Sequence, residues 1–198
     1  GDASGLGENL AWALGERVAL PVSEASQGAD LNGDGDLLDT VLHLHDLKAD
    51  TTESLRVAGF IEAMSTTYLV FSVVESGQDE DLNADGDLDD SVLYVKDLVS
   101  GHTDRIGLAA SVADLSRDYL LLRVSESLEQ QDLNGDGDRE DSVFHVRGLG
   151  SGRTASLGVA GACFAAALAG NALGVPGPIS TVVGYLATIN VILAVFNM

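Results

Sequence analysis

The sequence predicts an all-β protein built from three tandem 51-residue repeats and followed by an apolar, helical tail. Three observations support this prediction. An Asp-rich motif recurs at a fixed interval, short apolar runs flank each copy of it, and every charged residue precedes Thr154. We therefore assign residues 1–160 to the repeat region and residues 161–198 to the tail.

The Asp-rich motif occurs three times in one register. It reads Asp-Leu-Asn-Gly-Asp-Gly-Asp at 30–36 and 132–138, and Asp-Leu-Asn-Ala-Asp-Gly-Asp at 81–87. The three starts are 51 residues apart. The same interval relates a preceding glutamate (Glu24, Glu75, Glu126) and a closing aspartate (Asp39, Asp90, Asp141). A register that runs uninterrupted across two periods indicates tandem copies of one structural unit.

Apolar runs on both sides of each motif predict strands. The first run covers 17–22, 68–74 and 119–124, and the second covers 41–45, 92–96 and 143–147. The second run ends on His45, Lys96 or Arg147 beside an aliphatic residue, which is the inside–outside alternation of a half-buried strand. A third run near 105–109 and a fourth run near 61–64 and 112–115 bring the prediction to four short strands per period. That is the strand content of one propeller blade.

The motif has the chemistry of a hard-cation site. Aspartate and asparagine at alternate loop positions offer oxygen ligands, which calcium takes in sets of six to eight. The sixth position is glycine in all three copies, as a sharp turn requires. We expect the seventh residue to offer its carbonyl while its carboxylate points to solvent or to a second layer. The closing aspartate and the preceding glutamate would add further carboxylates.

The predicted metal ligands are Glu24, Asp30, Asn32, Asp34, Asp36, Asp39, Glu75, Asp81, Asn83, Asp85, Asp87, Asp90, Glu126, Asp132, Asn134, Asp136, Asp138 and Asp141. Three such sets predict about three Ca²⁺ ions per chain. The motif contains no histidine or cysteine, which disfavours zinc and copper. Magnesium is disfavoured because it rarely accepts so many protein oxygens. The simpler alternative is that acidic turns only keep the hairpin tips in water.

Asp-x-Asn-x-Asp-Gly resembles the calcium loops of EF-hands, of thrombospondin type 3 repeats and of the FG-GAP blades in integrin-α-type propellers. Its position between two strands is most similar to the FG-GAP loop, and the surrounding unit resembles bacterial propeller repeats. The resemblance covers roughly residues 6–160 and implies calcium-binding, propeller-like blades. It departs in one respect. The closing aspartate is the tenth loop residue, one later than in FG-GAP loops and two earlier than in EF-hands.

Composition limits the partners of the chain. Ten Lys and Arg against 31 Asp and Glu give a net charge of −21, which repels nucleic acid. Cys163 is the single cysteine, so no disulfide can form within the chain. Calcium loops of extracellular modules bind at about 0.1–1 mM. We therefore expect the protein outside the cell or at its surface, and its start at Gly1 without a leader suggests a trimmed product.

The tail is neutral and apolar, with a Pro-Gly-Pro break at 176–178. Residues 179–198 reach the length that can cross a bilayer as a helix. They could anchor the chain in a membrane, pack on the repeats, or bury themselves against neighbouring subunits; we favour the last. Three blades would also leave two open faces, because closed propellers have about four to eight. Both features predict a homo-oligomer or polymer.

The sequence thus predicts a secreted, calcium-stabilised structural protein of a filament, tube or surface layer. The alternative is a membrane-anchored, calcium-dependent adhesin or binding module, or a fragment of a larger propeller. An enzyme is not expected. The sequence has no phosphate-binding loop with lysine, no Cys–His pairing, no zinc spacing and no paired acids outside the loops that suggest glycoside chemistry.

Overall fold

The computed structural model describes residues 11–160 of the chain. The predicted apolar tail (161–198), including the candidate membrane segment 179–198, lies outside the described residues. Within residues 11–160 almost all regular structure is β. The strands are β1 (Trp12–Leu14), β2 (Arg17–Ser23), β3 (Thr40–Asp46), β4 (Thr51–Met64), β5 (Tyr68–Val74), β6 (Ser91–Asp97), β7 (Thr103–Leu115), β8 (Tyr119–Ser125), β9 (Ser142–Gly148) and β10 (Thr154–Ala160).

The ten strands form one open antiparallel sheet in chain order, with β1 and β10 at its two edges. The single short helix in the described part of the chain, α1 (Glu24–Gln27), is capped by the Ser23 side chain and by left-handed Gly28. The predicted first and second runs coincide with β2, β5, β8 and with β3, β6, β9. The all-β class is therefore confirmed. No helix within residues 11–160 is both long and apolar enough to cross a bilayer.

The third and fourth runs do not form separate short strands, so this part of the prediction is wrong. They merge into the long strands β4 and β7. Residues 51–58 of β4 pair with β3 and residues 59–64 pair with β5. Strand β7 divides in the same way, with 103–109 on β6 and 110–115 on β8. A short connection between the two runs allows one strand to serve two neighbours.

The sheet consequently consists of three four-stranded units. Unit 1 contains β1, β2, β3 and residues 51–58. Unit 2 contains residues 59–64, β5, β6 and residues 103–109. Unit 3 contains residues 110–115, β8, β9 and β10. Each unit repeats the preceding one after 51 residues.

The units pack against each other through apolar faces. Leu42 and Leu44 of unit 1 lie in one buried cluster with Leu69, Phe71 and Val73 of unit 2. The equivalent residues one repeat later form the second cluster: Leu93 and Val95 of unit 2, with Leu120, Leu122 and Val124 of unit 3. Repetition of the same packing across both boundaries shows that each unit offers one face to its predecessor and the other to its successor.

Two basic residues lie where the strand pattern predicts solvent exposure. Lys96 is 6% exposed and Arg147 is 7% exposed, whereas an alternating half-buried strand would leave both in water. The expected alternation fails here because the preceding unit covers the end of the strand. Lys96 Nζ lies 3.0 Å from Glu53 Oε1, and Arg147 Nη2 lies 3.3 Å from Asp104 Oδ2. Both acids belong to the preceding unit.

Candidate metal centres

The three Asp-rich loops join β2 to β3, β5 to β6 and β8 to β9. In each loop, the carboxylate of the first aspartate accepts hydrogen bonds from two backbone N–H groups of the same loop. Asp30 Oδ1 accepts the N–H of Gly33 at 2.6 Å, and Asp30 Oδ2 accepts that of Gly35 at 3.1 Å. Asp81 accepts the N–H groups of Ala84 and Gly86, also at 2.6 and 3.1 Å. Asp132 accepts those of Gly135 and Gly137 at the same two distances. Aspartate suits the first loop position because its short carboxylate can accept hydrogen bonds from two N–H groups of the turn at once.

The sixth loop position takes a backbone conformation that requires glycine. Gly35, Gly86 and Gly137 have φ angles of 101°, 101° and 103°. A side chain at such an angle meets its own backbone, so any other residue would strain the turn. The glycine predicted from sequence therefore has a steric reason in all three loops.

A buried glutamate ties the two ends of each loop to the strand before it. Glu24 is fully buried, and its Oε1 accepts the N–H groups of Leu31 (2.6 Å) and Asn32 (3.3 Å). Its Oε2 accepts the N–H of Asp39 at 3.2 Å. Glu126 makes the same three bonds in the third loop. A buried carboxylate is stable here because backbone donors replace its water.

The second loop differs at this glutamate. Glu75 is also fully buried, and its Oε1 accepts the N–H groups of Leu82 (2.5 Å) and Asn83 (3.2 Å). Its Oε2 has no hydrogen-bond partner, and neither has the buried Oδ2 of Asp85. Two buried acceptor oxygens without donors are costly, and a cation is one partner that would satisfy them.

The loops bring three groups of carboxylates together. Each group can place one oxygen per residue within 4.8 Å of the others and could hold a metal ion. The groups are Glu24, Asp34, Asp36 and Asp39; Glu75, Asp87 and Asp90; and Glu126, Asp138 and Asp141. The seventh-position residues Asp36, Asp87 and Asp138 belong to these groups, although the sequence predicted that their carboxylates would point away.

The other predicted ligands surround these groups. Asp30, Asp81 and Asp132 use both oxygens on loop N–H groups, as described above. Asp85 and Asp136 each accept the N–H of the residue two positions later. These contacts do not prevent ligation, because a carboxylate oxygen has lone pairs for more than one partner. The predicted residues thus divide into clustered carboxylates and residues that shape the loop.

The asparagine at the third position holds the carboxylates together. Asn32 Nδ2 donates to Asp34 Oδ2 at 3.0 Å and to Asp39 Oδ2 at 2.9 Å. Asn83 and Asn134 donate to Asp90 and Asp141, each at 3.0 Å. Their Oδ1 atoms accept loop N–H groups instead. To act as metal ligands these amides must turn, so that Oδ1 replaces Nδ2 at the cluster.

Burial changes the proton affinity of the closing aspartates. Burial, followed by a hydrogen bond to Asp34, raises the pKa of Asp39 to about 6. Burial likewise raises the pKa of Asp90 to about 6 and raises that of Asp141. The pKa of Asp34 is lowered, first by the N–H of Asp36. A proton on the closing aspartate reduces the repulsion between the neighbouring carboxylates of the cluster. A bound cation would reduce the same repulsion.

Each of the first two loops also contacts the unit that follows it. Asn32 Nδ2 donates to the carbonyl of Gly77 at 2.9 Å, and Gln130 Nε2 donates to Asp87 Oδ2 at 3.0 Å. A cleft of about 420 Å³ lies beside the first loop, and an equivalent cleft of about 320 Å³ lies beside the second. Both clefts are lined by the closing aspartate and by residues of the next unit. The first two loops therefore lie at unit boundaries.

Sequence reasoning missed the residues that reach across these boundaries. Glu129 Oε1 accepts the N–H of Ala109 at 2.5 Å, beside the second loop. The sequence did contain a sign of this role, because Glu129 is an acid at the repeat position that Gln27 and Gln78 occupy in the other copies.

No protein-family model matches the chain, and no curated protein matches it either. The geometry of the three loops is thus the basis for a functional assignment.

Proposed function

We propose that the chain is a calcium-stabilised structural protein of the cell exterior or cell surface, whose copies assemble into a filament, tube or surface layer. The observation that carries the proposal is the threefold recurrence of a carboxylate cluster built around a fully buried glutamate. One acidic turn would need no ion, but three clusters at equivalent positions of the repeat, two of them at unit boundaries, suggest a structural role for a cation.

The ligand chemistry supports calcium as the ion. Every clustered side chain is a carboxylate, and the nearby carbonyl and amide groups offer further oxygens. Sites rich in protein oxygen suit calcium better than magnesium, which keeps more of its water, and better than zinc, which prefers nitrogen and sulfur. The net charge of −21 favours cations as partners and opposes binding to nucleic acid.

The packing of the units supports assembly. At the two internal boundaries the first-strand residues are 0–2% exposed: Leu69, Phe71, Val73, Leu120, Leu122 and Val124. Val18, Leu20 and Val22 occupy the same positions in unit 1 and are only half-buried. On unit 3, Phe144 is half-buried and Val159 is 50% exposed. A second copy stacked in the same register would bury both end faces.

An alternative is a calcium-dependent adhesin or binding module, held at a membrane or forming part of a larger propeller. The four-stranded units and their half-buried end faces would also suit further blades of a longer array. We do not propose an enzymatic activity. The two functions differ in what calcium does, because an adhesin would remain dispersed when its loops are filled.

A calcium titration of the purified chain tests the proposal. Each filled loop should stabilise the fold by about 1.4 kcal/mol when free calcium is tenfold above its dissociation constant. Thermal unfolding with calcium, with magnesium and with chelator measures this effect, and electron microscopy at millimolar calcium detects polymers. An unchanged melting temperature would contradict the calcium role. Dispersed particles with a calcium-raised melting temperature would support the adhesin instead.

A further inference from the structure

The second loop is the one that most clearly lacks a partner. Glu75 Oε2 and Asp85 Oδ2 are buried with no hydrogen bond, whereas the equivalent oxygens of Glu24 and Glu126 each accept a backbone N–H. Glu75 is 0% exposed, so water does not reach its side chain from the surface. The orphaned oxygens belong to the same loop as the clustered carboxylates of Asp87 and Asp90.

Unit 3 brings a further carboxylate to this loop. Glu129 Oε1 is fixed by the N–H of Ala109, and the neighbouring Gln130 holds Asp87. Burial is the main reason that the pKa of Glu129 is raised. Asp90 and Asp85 raise it further by their charge, whereas a hydrogen bond with the Asn83 side chain lowers it. Ala109 and Asp90 line the same cleft beside the second loop, so the bond to Ala109 places Glu129 next to this loop.

We propose that Glu129 is a ligand of the ion held by the second loop, so that this ion joins units 2 and 3. The proposal rests on the proposed function, since it takes the ion to be calcium. The fixed Oε1 orients the carboxylate, and Oε2 supplies the ligand. The second loop gains a negative charge that the first loop lacks, because Gln78 stands at the equivalent position of unit 2. More ligand charge gives tighter calcium binding, so Glu129 should raise the calcium affinity of the second loop.

The test uses proteins in which one loop remains active. Asp34→Asn with Asp39→Asn disables the first loop, and Asp136→Asn with Asp141→Asn disables the third. In the chain that retains the second loop, Glu129→Gln should weaken calcium binding about tenfold by isothermal titration. The amide can still accept the N–H of Ala109, so the fold is preserved, and circular dichroism checks this. Glu140→Gln removes the same charge from an exposed site of unit 3 and should change the affinity less than about twofold.

A reciprocal variant tests the same idea in the first loop. In a chain with the second and third loops disabled, Gln78→Glu should tighten calcium binding. Hydrogen exchange adds a local readout: calcium should slow exchange of the Ala109 N–H in the wild type but much less in Glu129→Gln. If Glu129→Gln and Glu140→Gln bind alike, the inference is overturned while the proposed function stands. If the wild type binds no calcium, both are overturned.

Discussion

Lys96 Nζ donates to Glu53 Oε1 at 3.0 Å across the boundary between units 1 and 2. The pair Arg147 and Asp104 repeats this contact at the next boundary, 51 residues later. Lys96 lies near the end of β6 that is farther from the second loop. Each boundary is therefore linked twice, by an ion pair at one end of the strands and by a metal-type loop at the other, with the apolar cluster between them.

Removing the exposed partner of this pair should cost more than removing the buried one. The Glu53 side chain is 57% exposed and that of Lys96 is 8% exposed. Glu53→Gln leaves a buried ammonium without a compensating charge, with the Gly101 carbonyl and the new amide oxygen as its acceptors, and we expect a loss of about 1–2 kcal/mol in unfolding free energy. Lys96→Met replaces the ammonium by an apolar group of similar length and should cost less than about 1 kcal/mol.

Urea unfolding at neutral pH measures both changes. Glu16→Gln is the matched control, because it removes the same charge from an exposed site with little effect on stability. A larger loss for Lys96→Met than for Glu53→Gln would mean that packing of the lysine stem, and not desolvation of its charge, determines the contribution of the pair.

Without calcium, replacing the buried glutamates by glutamine should destabilise the protein by different amounts at Glu126 and at Glu75. In Glu126→Gln the new amide must face the N–H of Asp141, which currently donates to Oε2. We expect a loss of about 1–3 kcal/mol in chelator, because a buried donor loses its acceptor. In Glu75→Gln the amide can occupy the Oε2 position, where no donor lies, so the loss should stay below about 1 kcal/mol.

Calcium should reverse this ranking. Glu75→Gln removes an oxygen without a protein partner, so the variant should lose much of the calcium-dependent rise in melting temperature that belongs to the second loop. Thermal unfolding of both variants with chelator and with calcium tests this pattern. Equal losses for Glu75→Gln and Glu126→Gln in chelator would show that the second loop does not have its distinct hydrogen bonding.

The chelated protein should become less stable as the pH rises from about 4 to about 6. Asp39 and Asp90 have folded pKa values raised to about 6, from 3.8 when unfolded. Between these values the folded state binds more protons, so stability falls with increasing pH. The lowered pKa values of Asp46 and Asp97 act in the opposite direction only below about pH 4.

Calcium competes with the same protons. Its stabilising effect should be largest above about pH 6 and should disappear as the pH falls towards 4. Adding calcium in weak buffer at about pH 5.5 should release protons from the first two loops, and adding it at about pH 8 should release few. An indicator dye or a pH electrode measures this difference. Equal release at both pH values would argue against protonated closing aspartates.

The sequence was most informative about features that depend on local chemistry. The strict repeat, the hairpin loops and the first two strand runs follow from turn glycines, aspartates and apolar alternation. Burial of Lys96 and Arg147 could not be predicted, because it depends on which unit face covers the strand end. Continuity of β4 and β7 was missed for a similar reason. An interruption in the apolar pattern looks like a turn, but here the backbone stays extended from one unit into the next.

A bulge in β4, β7 and β10, where each pairs with the strand before it, yields a prediction that involves no ion. Arg56, Gly107 and Gly158 are equivalent residues with φ angles of 56°, 73° and 62°. The left-handed region costs a non-glycine residue about 1–2 kcal/mol, so Arg56 is strained where the other two are not. Arg56→Gly should therefore stabilise the protein by about 0.5 kcal/mol, since part of the gain is offset by the greater freedom of glycine in the unfolded chain.

Gly107→Ala tests the same conformation from the other side. A Cβ at Gly107 would meet no atom within 4 Å, so the substitution introduces backbone strain without a steric clash. We expect a loss of about 1 kcal/mol in urea unfolding. Gly150→Ala is the matched control, because it is equally uncrowded but has no positive φ, and it should be neutral or slightly stabilising. If Gly107→Ala behaved like Gly150→Ala, the left-handed conformation at Gly107 would carry no measurable strain.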